Sequence, residues 1–188
     1  MTVSWPALQL AGAIDRFLAL PGARYVKLEG RAFHVLHIGD DGYVWLVVSG
    51  WLLGMRGNAE GRLKGTGLFG PGDLLGMSSL GGNVREVPFY SIGETEVIQV
   101  SRLALDRAVE RDDTLCRWLL KYMCMRYSEL LDELEVSTLL PLRQRIEAFE
   151  RKLTQKMPVS VERPVPQTVL AWAVGGHPVS VCRALKGA

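Results

Sequence analysis

Apolar and polar positions divide the chain into two stretches with different repeats. From about residue 25 to residue 100, short apolar segments alternate with glycine-marked turns that recur about every ten residues. The apolar segments are residues 32–38, 43–48, 51–55 and 96–100, and the corners are residues 39–42, 57–58, 65–67 and 71–73. This pattern is typical of an all-β sandwich or barrel. A short amphipathic helix over about residues 11–20 is predicted before it.

The repeat becomes helical after Ser101, whose hydroxyl is expected to cap a helix over residues 102–111. A longer helix is predicted over residues 112–140, about 43 Å at 1.5 Å per residue. A coiled-coil seam with alternating spacings of three and four runs along it: Leu120, Met123, Tyr127, Leu130, Leu134 and Ser137. A flanking apolar face, expected to pack against the chain's own β domain, consists of Leu119, Tyr122 and Leu131. Two apolar faces favour a helix that touches its own domain on one side and a second chain on the other.

Pro141 is predicted to be a hinge after the long helix. Residues 143–153 are predicted to form another helix and residues 159–161 a short strand. Two helical apolar repeats then flank Gly175-Gly176, which stops the first of them. The first repeat consists of Val169, Leu170, Ala173 and Val174, the second of Val181, Ala184 and Leu185, and small Ala171 allows close helix approach. This is the outline of a helix-turn-helix, although an ordinary helical hairpin would satisfy the same spacing.

Charge is distributed unevenly about Pro141. The whole chain carries a formal charge of +2 at pH 7. Residues 1–140 hold 14 basic and 17 acidic side chains, a balance of −3, whereas residues 141–188 hold 8 and 3, a balance of +5. A DNA-binding domain needs a basic surface that attracts the phosphate backbone of DNA. The basic C-terminal region, next to a slightly acidic remainder of the chain, meets this requirement.

The composition predicts a folded, soluble protein. Its 188 residues are 48% hydrophobic, which suits one large or two small domains. No apolar run approaches the roughly 18 residues of a membrane span, and no signal-type start is found, so we expect a cytoplasmic protein without membrane contact. The cysteines Cys116, Cys124 and Cys182 include no Cys-x-x-Cys pair. They predict reduced, packing thiols rather than disulfides or a zinc site.

The order of these elements resembles that of the Crp/Fnr superfamily of bacterial transcription regulators. Two motifs carry the resemblance, Gly70-Pro-Gly-Asp-Leu-Leu-Gly-Met77 and Leu170-Ala-Trp-Ala-Val-Gly175 followed by Val181-Cys-Arg-Ala-Leu185. The likeness spans about residues 20–186. It implies an α+β fold with an N-terminal double-stranded β-helix, or jelly-roll-like β-roll, a long dimerisation helix and a C-terminal winged helix-turn-helix. Relatives usually continue past the recognition helix, so the end at Ala188 leaves open a truncated or decayed DNA-binding domain.

The resemblance implies three regions with separate roles. Residues 1–111 would be the effector-sensing β-roll domain, residues 112–140 the dimerisation helix, and residues 141–188 the DNA-binding domain. An effector bound between the β-roll and the long helix would reorient the DNA-binding domains of a homodimer. The predicted dimerisation residues are Leu120, Met123, Tyr127, Leu130 and Leu134.

A cyclic nucleotide is not the expected effector. Cyclic-nucleotide-binding relatives place a glutamate on the ribose and an Arg-Ser pair on the phosphate, where this chain has Met77 and Arg85-Glu86. Met77 cannot accept a hydroxyl proton, and Glu86 would repel a phosphate. Arg85 would meet an acidic effector or form a surface ion pair. The effector-binding residues are predicted to be Gly76, Met77, Ser78, Arg85, Glu86, Tyr127, Leu130 and Leu131, a set that favours an apolar or aromatic ligand.

Other cofactors and catalysis are not expected. An iron–sulfur cluster of the family's type needs four thiolates, whereas this chain has three cysteines. A haem would need His34 or His37 as an axial ligand. The two histidines lie three apart on a predicted strand and therefore face opposite sides, so we do not expect both to bind one metal. No nucleophile-base pair or metal-oxygenase ligand set is evident. We therefore expect no cofactor, no metal and no enzyme activity.

The second helix of the C-terminal motif is expected to enter the major groove, where Pro178 also lies near its start. The predicted DNA-binding residues are Gln167, His177, Val179, Ser180, Arg183 and Lys186. Relatives start this helix with Ser-Arg-Glu-Thr or a close variant, whereas only Arg183 keeps a matching basic position here. The predicted partners are double-stranded DNA, a second copy of the chain, an unidentified small-molecule effector and RNA polymerase. The alternatives are a dimeric ligand-binding or interaction module whose helix-turn-helix no longer reads DNA and, more distantly, a metal-dependent β-roll enzyme.

Overall fold

The computed structural model describes residues 7–36, 42–81, 86–156 and 165–186. Within them the chain forms eight strands: β1 Arg24–Leu28, β2 Phe33–Leu36, β3 Tyr43–Ser49, β4 Leu52–Gly57, β5 Leu63–Phe69, β6 Leu74–Leu75, β7 Val87–Ser91 and β8 Thr95–Ser101. It also forms six α-helices: α1 Ala7–Leu18, α2 Arg102–Val109, α3 Asp113–Leu139, α4 Leu142–Lys156, α5 Gln167–Val174 and α6 Pro178–Lys186. The chain divides into two compact units, Met1–Gly54 with Leu68–Tyr122, and Met55–Gly67 with Met123–Ala188.

The strands form two four-stranded sheets with the orders β1-β8-β3-β6 and β2-β7-β4-β5. Strand β3 pairs antiparallel with β8, and Val44 lies opposite Val100 and Leu46 opposite Ile98. These four side chains are fully buried, and helices α1 and α2 both contact β3 and β8. The predicted β architecture is therefore confirmed as a pair of sheets, and each predicted apolar segment overlaps an observed strand.

One predicted corner is wrong. Residues 65–67 lie inside β5, where Gly65 and Gly67 are buried and Thr66 between them is exposed, as the two-residue period of a strand requires. The hairpin turn lies at the other predicted corner, residues 57–58, which is confirmed. There the Asn58 side-chain oxygen accepts the backbone N–H groups of Glu60 at 3.1 Å and Arg62 at 2.9 Å. The predicted corner at residues 39–42 lies outside the described residues except for its last position.

Side-chain caps set the starts of α2 and α3. The Ser101 hydroxyl accepts the Ala104 N–H at 3.2 Å, which confirms the predicted cap. Before α3, the Asp112 carboxylate accepts the N–H groups of Thr114 at 2.8 Å and Leu115 at 3.1 Å. The Thr114 hydroxyl also donates to this carboxylate and, with the backbone donors, holds the pKa of Asp112 below its ordinary value. Helix α3 begins and ends within one residue of the predicted limits.

The first turns of α3 are anchored in the first unit by Tyr122. Its hydroxyl accepts the Leu74 N–H at 2.7 Å and donates to the Leu74 carbonyl at 3.2 Å. Its ring stacks on Trp118, which in turn meets Phe17 edge to face. Leu119 is buried as well, so two of the three residues of the predicted flanking face pack against the chain's own β domain.

The third residue of that face, Leu131, is 47% exposed, and its packing against the β domain stays a prediction. Leu119 and Tyr122 belong to the part of α3 within the first unit, which ends at Tyr122. Leu131 lies nine residues further along the helix, in the second unit.

Helices α4, α5 and α6 surround a small apolar core. Its buried residues are Ile146, Leu170, Ala171, Val174 and Val181, with Leu142, Phe149 and Ala184 partly buried against them. Helix α4 begins one residue before and ends three residues after its predicted limits, and the Pro141 carbonyl accepts the Arg145 N–H at 3.0 Å at its start. The predicted strand at residues 159–161 lies outside the described residues.

Leu185, predicted to face this core, is 38% exposed. Val181 and Ala184 take the inward positions, and Leu185 is turned about 100° from Ala184 by the helical repeat.

The expectation of packing thiols is also wrong for Cys116 and Cys124, which are free and exposed, whereas free Cys182 is half-buried. Both exposed cysteines lie off the buried stripe of α3 that Leu115, Leu119 and Tyr122 occupy. No described helix is long and apolar enough to cross a membrane.

Candidate nucleic-acid interface and effector-binding residues

The turn between α5 and α6 depends on two glycines for different reasons. Gly175 ends α5 with φ of 63°, in the left-handed region that glycine adopts without strain. A Cβ at Gly176 would lie 2.9 Å from Leu142 Cδ1 and 3.2 Å from Val181 Cγ2, so a side chain there would require these two side chains to shift. The Gly176 N–H donates to the carbonyl of fully buried Ala171 at 2.9 Å. Ala171 lies in one core cluster with Val181 of α6, and the close approach of the two helices at Ala171 stays a prediction.

His177 begins α6 as a cap, a role that the sequence analysis missed. Its carbonyl accepts the Val181 N–H at 3.0 Å, and its ring Nδ1 accepts the Val179 N–H at 3.3 Å. Pro178 follows at the first helical position, where its missing N–H costs no hydrogen bond. This proline is the sequence feature from which the His177 cap could have been predicted. With Nδ1 as an acceptor, the ring proton is assigned to Nε2.

All six residues predicted to bind DNA are exposed. Five of them lie at or in α6, and Gln167 begins α5. Val179, Arg183 and Lys186 are spaced by four and three residues and therefore share one side of α6. Neither Arg183 nor Lys186 has an ion-pair partner among the residues that the structure describes. Their charges are therefore available to an anionic partner.

The segment Gly70–Met77 is a backbone turn held by its own side chains. The buried Asp73 carboxylate accepts the Gly70 N–H at 2.8 Å. A Cβ at Gly70 would lie 2.2 Å from the ring of Trp51. Gly76 has φ of 84°, and a Cβ there would meet the Tyr43 carbonyl oxygen at 2.6 Å. The motif thus fixes the backbone that leads into Met77.

The structure places the predicted effector residues in two groups. Gly76, Met77 and Ser78 are consecutive in the first unit, with half-buried Met77 opening a 3₁₀ turn, Met77–Ser79. Glu86 is exposed just before β7 in the same unit, and Arg85 lies outside the described residues.

The second group, Tyr127, Leu130 and Leu131, is exposed on the part of α3 that belongs to the second unit. A single pocket that contains both groups therefore stays a prediction.

His34 has a local structural role. Its Nε2 lies 3.0 Å from the Glu29 carbonyl and 3.1 Å from Ser91 Oγ, which itself donates to the same Glu29 carbonyl. His37 lies outside the described residues. Within the described ranges, no three histidine, cysteine, aspartate or glutamate side chains come together as metal ligands.

The predicted seam of α3 is an exposed apolar stripe. Tyr127 is 64% exposed, and Leu130 and Leu134 are each 55% exposed. Leu120 and Met123 continue the stripe toward the start of the helix and are also exposed. Clustered apolar exposure of this kind is typical of an interaction surface.

No protein-family model matches the sequence, and no curated protein matches it significantly. Solved structures do match. FixK2 from Bradyrhizobium japonicum is 20% identical with a TM-score of 0.75, over 88% of this chain and 83% of that one. CLP from Xanthomonas campestris, a c-di-GMP-responsive global regulator, is 23% identical with a TM-score of 0.75, over 94% and 90%.

A third structure is TTHA1359 from Thermus thermophilus, a transcriptional regulator of the CRP/FNR family. It is 17% identical with a TM-score of 0.71, over 87% of this chain and 84% of that one. These likenesses cover most of each protein, including the helices after the sheets, and they support the resemblance that the sequence motifs indicated. The chain has the fold of the Crp/Fnr transcription regulators.

Proposed function

We propose that this protein is a homodimeric, effector-responsive transcription regulator of the Crp/Fnr type, which binds double-stranded DNA through α5 and α6. The observation that most supports DNA binding is on the exposed side of α6. There Arg183 and Lys186 have no ion-pair partners among the described residues. Residues 1–111 would sense the effector, residues 112–140 would form the dimer, and residues 141–188, a helix-turn-helix domain, would bind DNA. RNA polymerase is a further proposed partner.

Charge and local geometry support this assignment. Residues 141–188 carry a balance of +5, which favours salt-dependent attraction to phosphates. The glycine turn and the His177 cap hold the start of α6 rigidly, while Val179 and Ser180 in its first turn remain exposed. A recognition helix needs this combination of a fixed start and a free outer side.

A second function is favoured by one observation. Val179, at the start of α6, is exposed and apolar, at a position where base readout by hydrogen bonds needs a polar side chain. A dimeric ligand-binding or interaction module that no longer reads DNA would have this feature. Selection of genomic DNA fragments on the purified protein separates the two functions.

Arg183→Ala is expected to weaken binding to the selected DNA site by about 1–3 kcal/mol if Arg183 contacts a guanine, because a bidentate arginine pair contributes that much discrimination. Selectivity at that base should relax. If Arg183 contacts a phosphate instead, every sequence should lose affinity equally and the salt slope should fall by about one. Fluorescence anisotropy titrations at several salt concentrations measure both quantities.

Arg143→Ala is the matched control, since Arg143 is exposed on α4 and paired with Glu147 at 3.3 Å. It should leave DNA affinity nearly unchanged. If no sequence is enriched in the selection and Arg183→Ala leaves residual binding unaltered, the interaction module is the better account.

We also propose that the effector is apolar or aromatic and is not a cyclic nucleotide. Met77 offers a thioether where a ribose hydroxyl would need a strong acceptor, and the exposed Glu86 carboxylate would repel a phosphate. Tyr127, Leu130 and Leu131 would supply apolar contacts from α3.

Cyclic AMP and cyclic GMP are therefore expected to bind with dissociation constants weaker than about 10 μM, which corresponds to about −7 kcal/mol. Isothermal titration calorimetry measures this directly, and c-di-GMP, to which CLP responds, is the third ligand to titrate. Met77→Glu combined with Glu86→Ser should raise the affinity for the cyclic mononucleotides. Tight binding by the unmodified protein would refute the proposed placement of Met77 and Glu86.

A further inference from the structure

The C-terminal end of α5 is capped by side chains from other elements. Helix α5 has no basic residue in its own last turn. Arg145 of α4 donates from Nη1 to the Val174 carbonyl at 2.9 Å. Because the last carbonyls of a helix carry partial negative charge and have no partner within the helix, a cation at this end is stabilising.

A second cationic side chain reaches the same point from the sheet. Lys64 lies on β5, in the hairpin of Met55–Gly67 that clusters with the C-terminal helices in the second unit. A Cβ placed on Gly175 would lie 3.2 Å from Lys64 Cε, 3.6 Å from Lys64 Cδ and 3.8 Å from Arg145 Nη1. The stem of Lys64 therefore lies against the residue that ends α5.

The convergence of two like charges has a physical cause in this location. Two cations repel each other in water, but both are attracted to the carbonyls at the end of α5. Arg145 makes the direct hydrogen bond, whereas Lys64 is exposed and its Cδ and Cε lie beside Gly175. Two residues beyond Gly175, His177 begins α6, so whatever fixes Gly175 also fixes the start of that helix.

We propose that Lys64 is a positioning residue for α6: it ties the β4–β5 hairpin to the turn between α5 and α6 and so holds the start of the recognition helix. The proposal rests on the proposed DNA-binding function for its effect on DNA, but the contact itself does not. Lys64 acts through Gly175 and touches neither bases nor phosphates.

Hydrogen exchange tests the contact without DNA. In Lys64→Ala the Gly176 amide should exchange about two- to fivefold faster, the factor that corresponds to about 0.3–1 kcal/mol for one charge at a helix end. Lys64→Glu should accelerate exchange further, because a carboxylate would face the carbonyls. Lys64→Arg should restore the original rate. Arg62→Ala is the matched control, since Arg62 is an exposed hairpin cation paired with Glu60, and it should change nothing.

Equilibrium DNA binding tests the positioning role. Lys64→Ala should weaken DNA binding by about two- to fivefold, because α6 is held less firmly, and the salt slope should stay unchanged, because no phosphate contact is lost. Unchanged exchange in Lys64→Ala would overturn the contact. A salt slope lower by about one would assign Lys64 to a phosphate, and tighter DNA binding would make the contact inhibitory; either result would overturn the positioning role. If the unmodified protein binds no DNA, the proposed function and the positioning role fail, while the exchange rates still decide the contact.

Discussion

Replacement of Leu130 and Leu134 by aspartate is expected to convert the protein from a dimer into monomers. Both side chains are more than half exposed on α3 and lie in one apolar stripe with Tyr127. In a two-fold symmetric dimer through this stripe, each new carboxylate would face its own copy or a neighbouring one. Like charges across an interface cost several kcal/mol, which raises the dissociation constant by at least about a hundredfold.

Light scattering at micromolar concentration measures the change. The unmodified protein should have the mass of two chains and Leu130→Asp with Leu134→Asp that of one. Leu103→Asp is the control, because Leu103 is an equally exposed leucine, 50%, on α2 away from the stripe. A monomeric unmodified protein would contradict the prediction at once.

Tyr122 is expected to be the side chain whose loss costs most stability. Tyr122→Phe leaves the Leu74 N–H and carbonyl without their partner at a buried site, which costs about 1–3 kcal/mol of unfolding free energy. Tyr122→Ala also removes the ring that stacks on Trp118 and should cost about 3–5 kcal/mol, the usual range for a fully buried aromatic residue. Urea denaturation at one fixed protein concentration measures both, since the stability of a dimer depends on concentration.

Tyr25→Phe is the control for these variants. Tyr25 is an exposed tyrosine on β1, and the loss of its hydroxyl should change the unfolding free energy by less than about 0.5 kcal/mol. If Tyr122→Phe proves as stable as the unmodified protein, the hydrogen bonds to Leu74 do not anchor α3.

Local sequence patterns were sufficient for the kinds of elements and their order. The alternation around β3 and the Ser101 cap involve residues close along the chain, and both predictions are confirmed. The predicted limits of α3, residues 112–140, lie within one residue of the observed ends. The predicted corner at residues 65–67 was wrong because a nearby side chain sets the turn. The Asn58 side chain forms the hairpin turn, so residues 65–67 continue a strand.

Local sequence patterns predicted only part of the candidate sites. Exposed Arg183 and Lys186 follow from helical periodicity, because the apolar stripe of α6 leaves them on the outer side. The only sequence signal for the His177 cap is the proline that follows it. The effector residues before β7 and on α3 were predicted from the family resemblance. Leu185 shows the limit of apolar spacing, since it lies at the margin of the α6 stripe, where neighbouring elements decide burial.

By itself, then, the sequence determined the helix segments, four of the eight described strands, the glycine turn before α6 and the basic C-terminal charge, because periodicity, capping and composition act within a few residues. Strands β1, β5, β6 and β7 were not predicted. The tertiary structure alone decided which distant groups meet. The Tyr122 hydroxyl finds the Leu74 backbone 48 residues away, and Arg145 reaches the Val174 carbonyl 29 residues away. Contacts of this kind depend on how whole elements pack, and no local preference of the residues involved encodes the choice of partner.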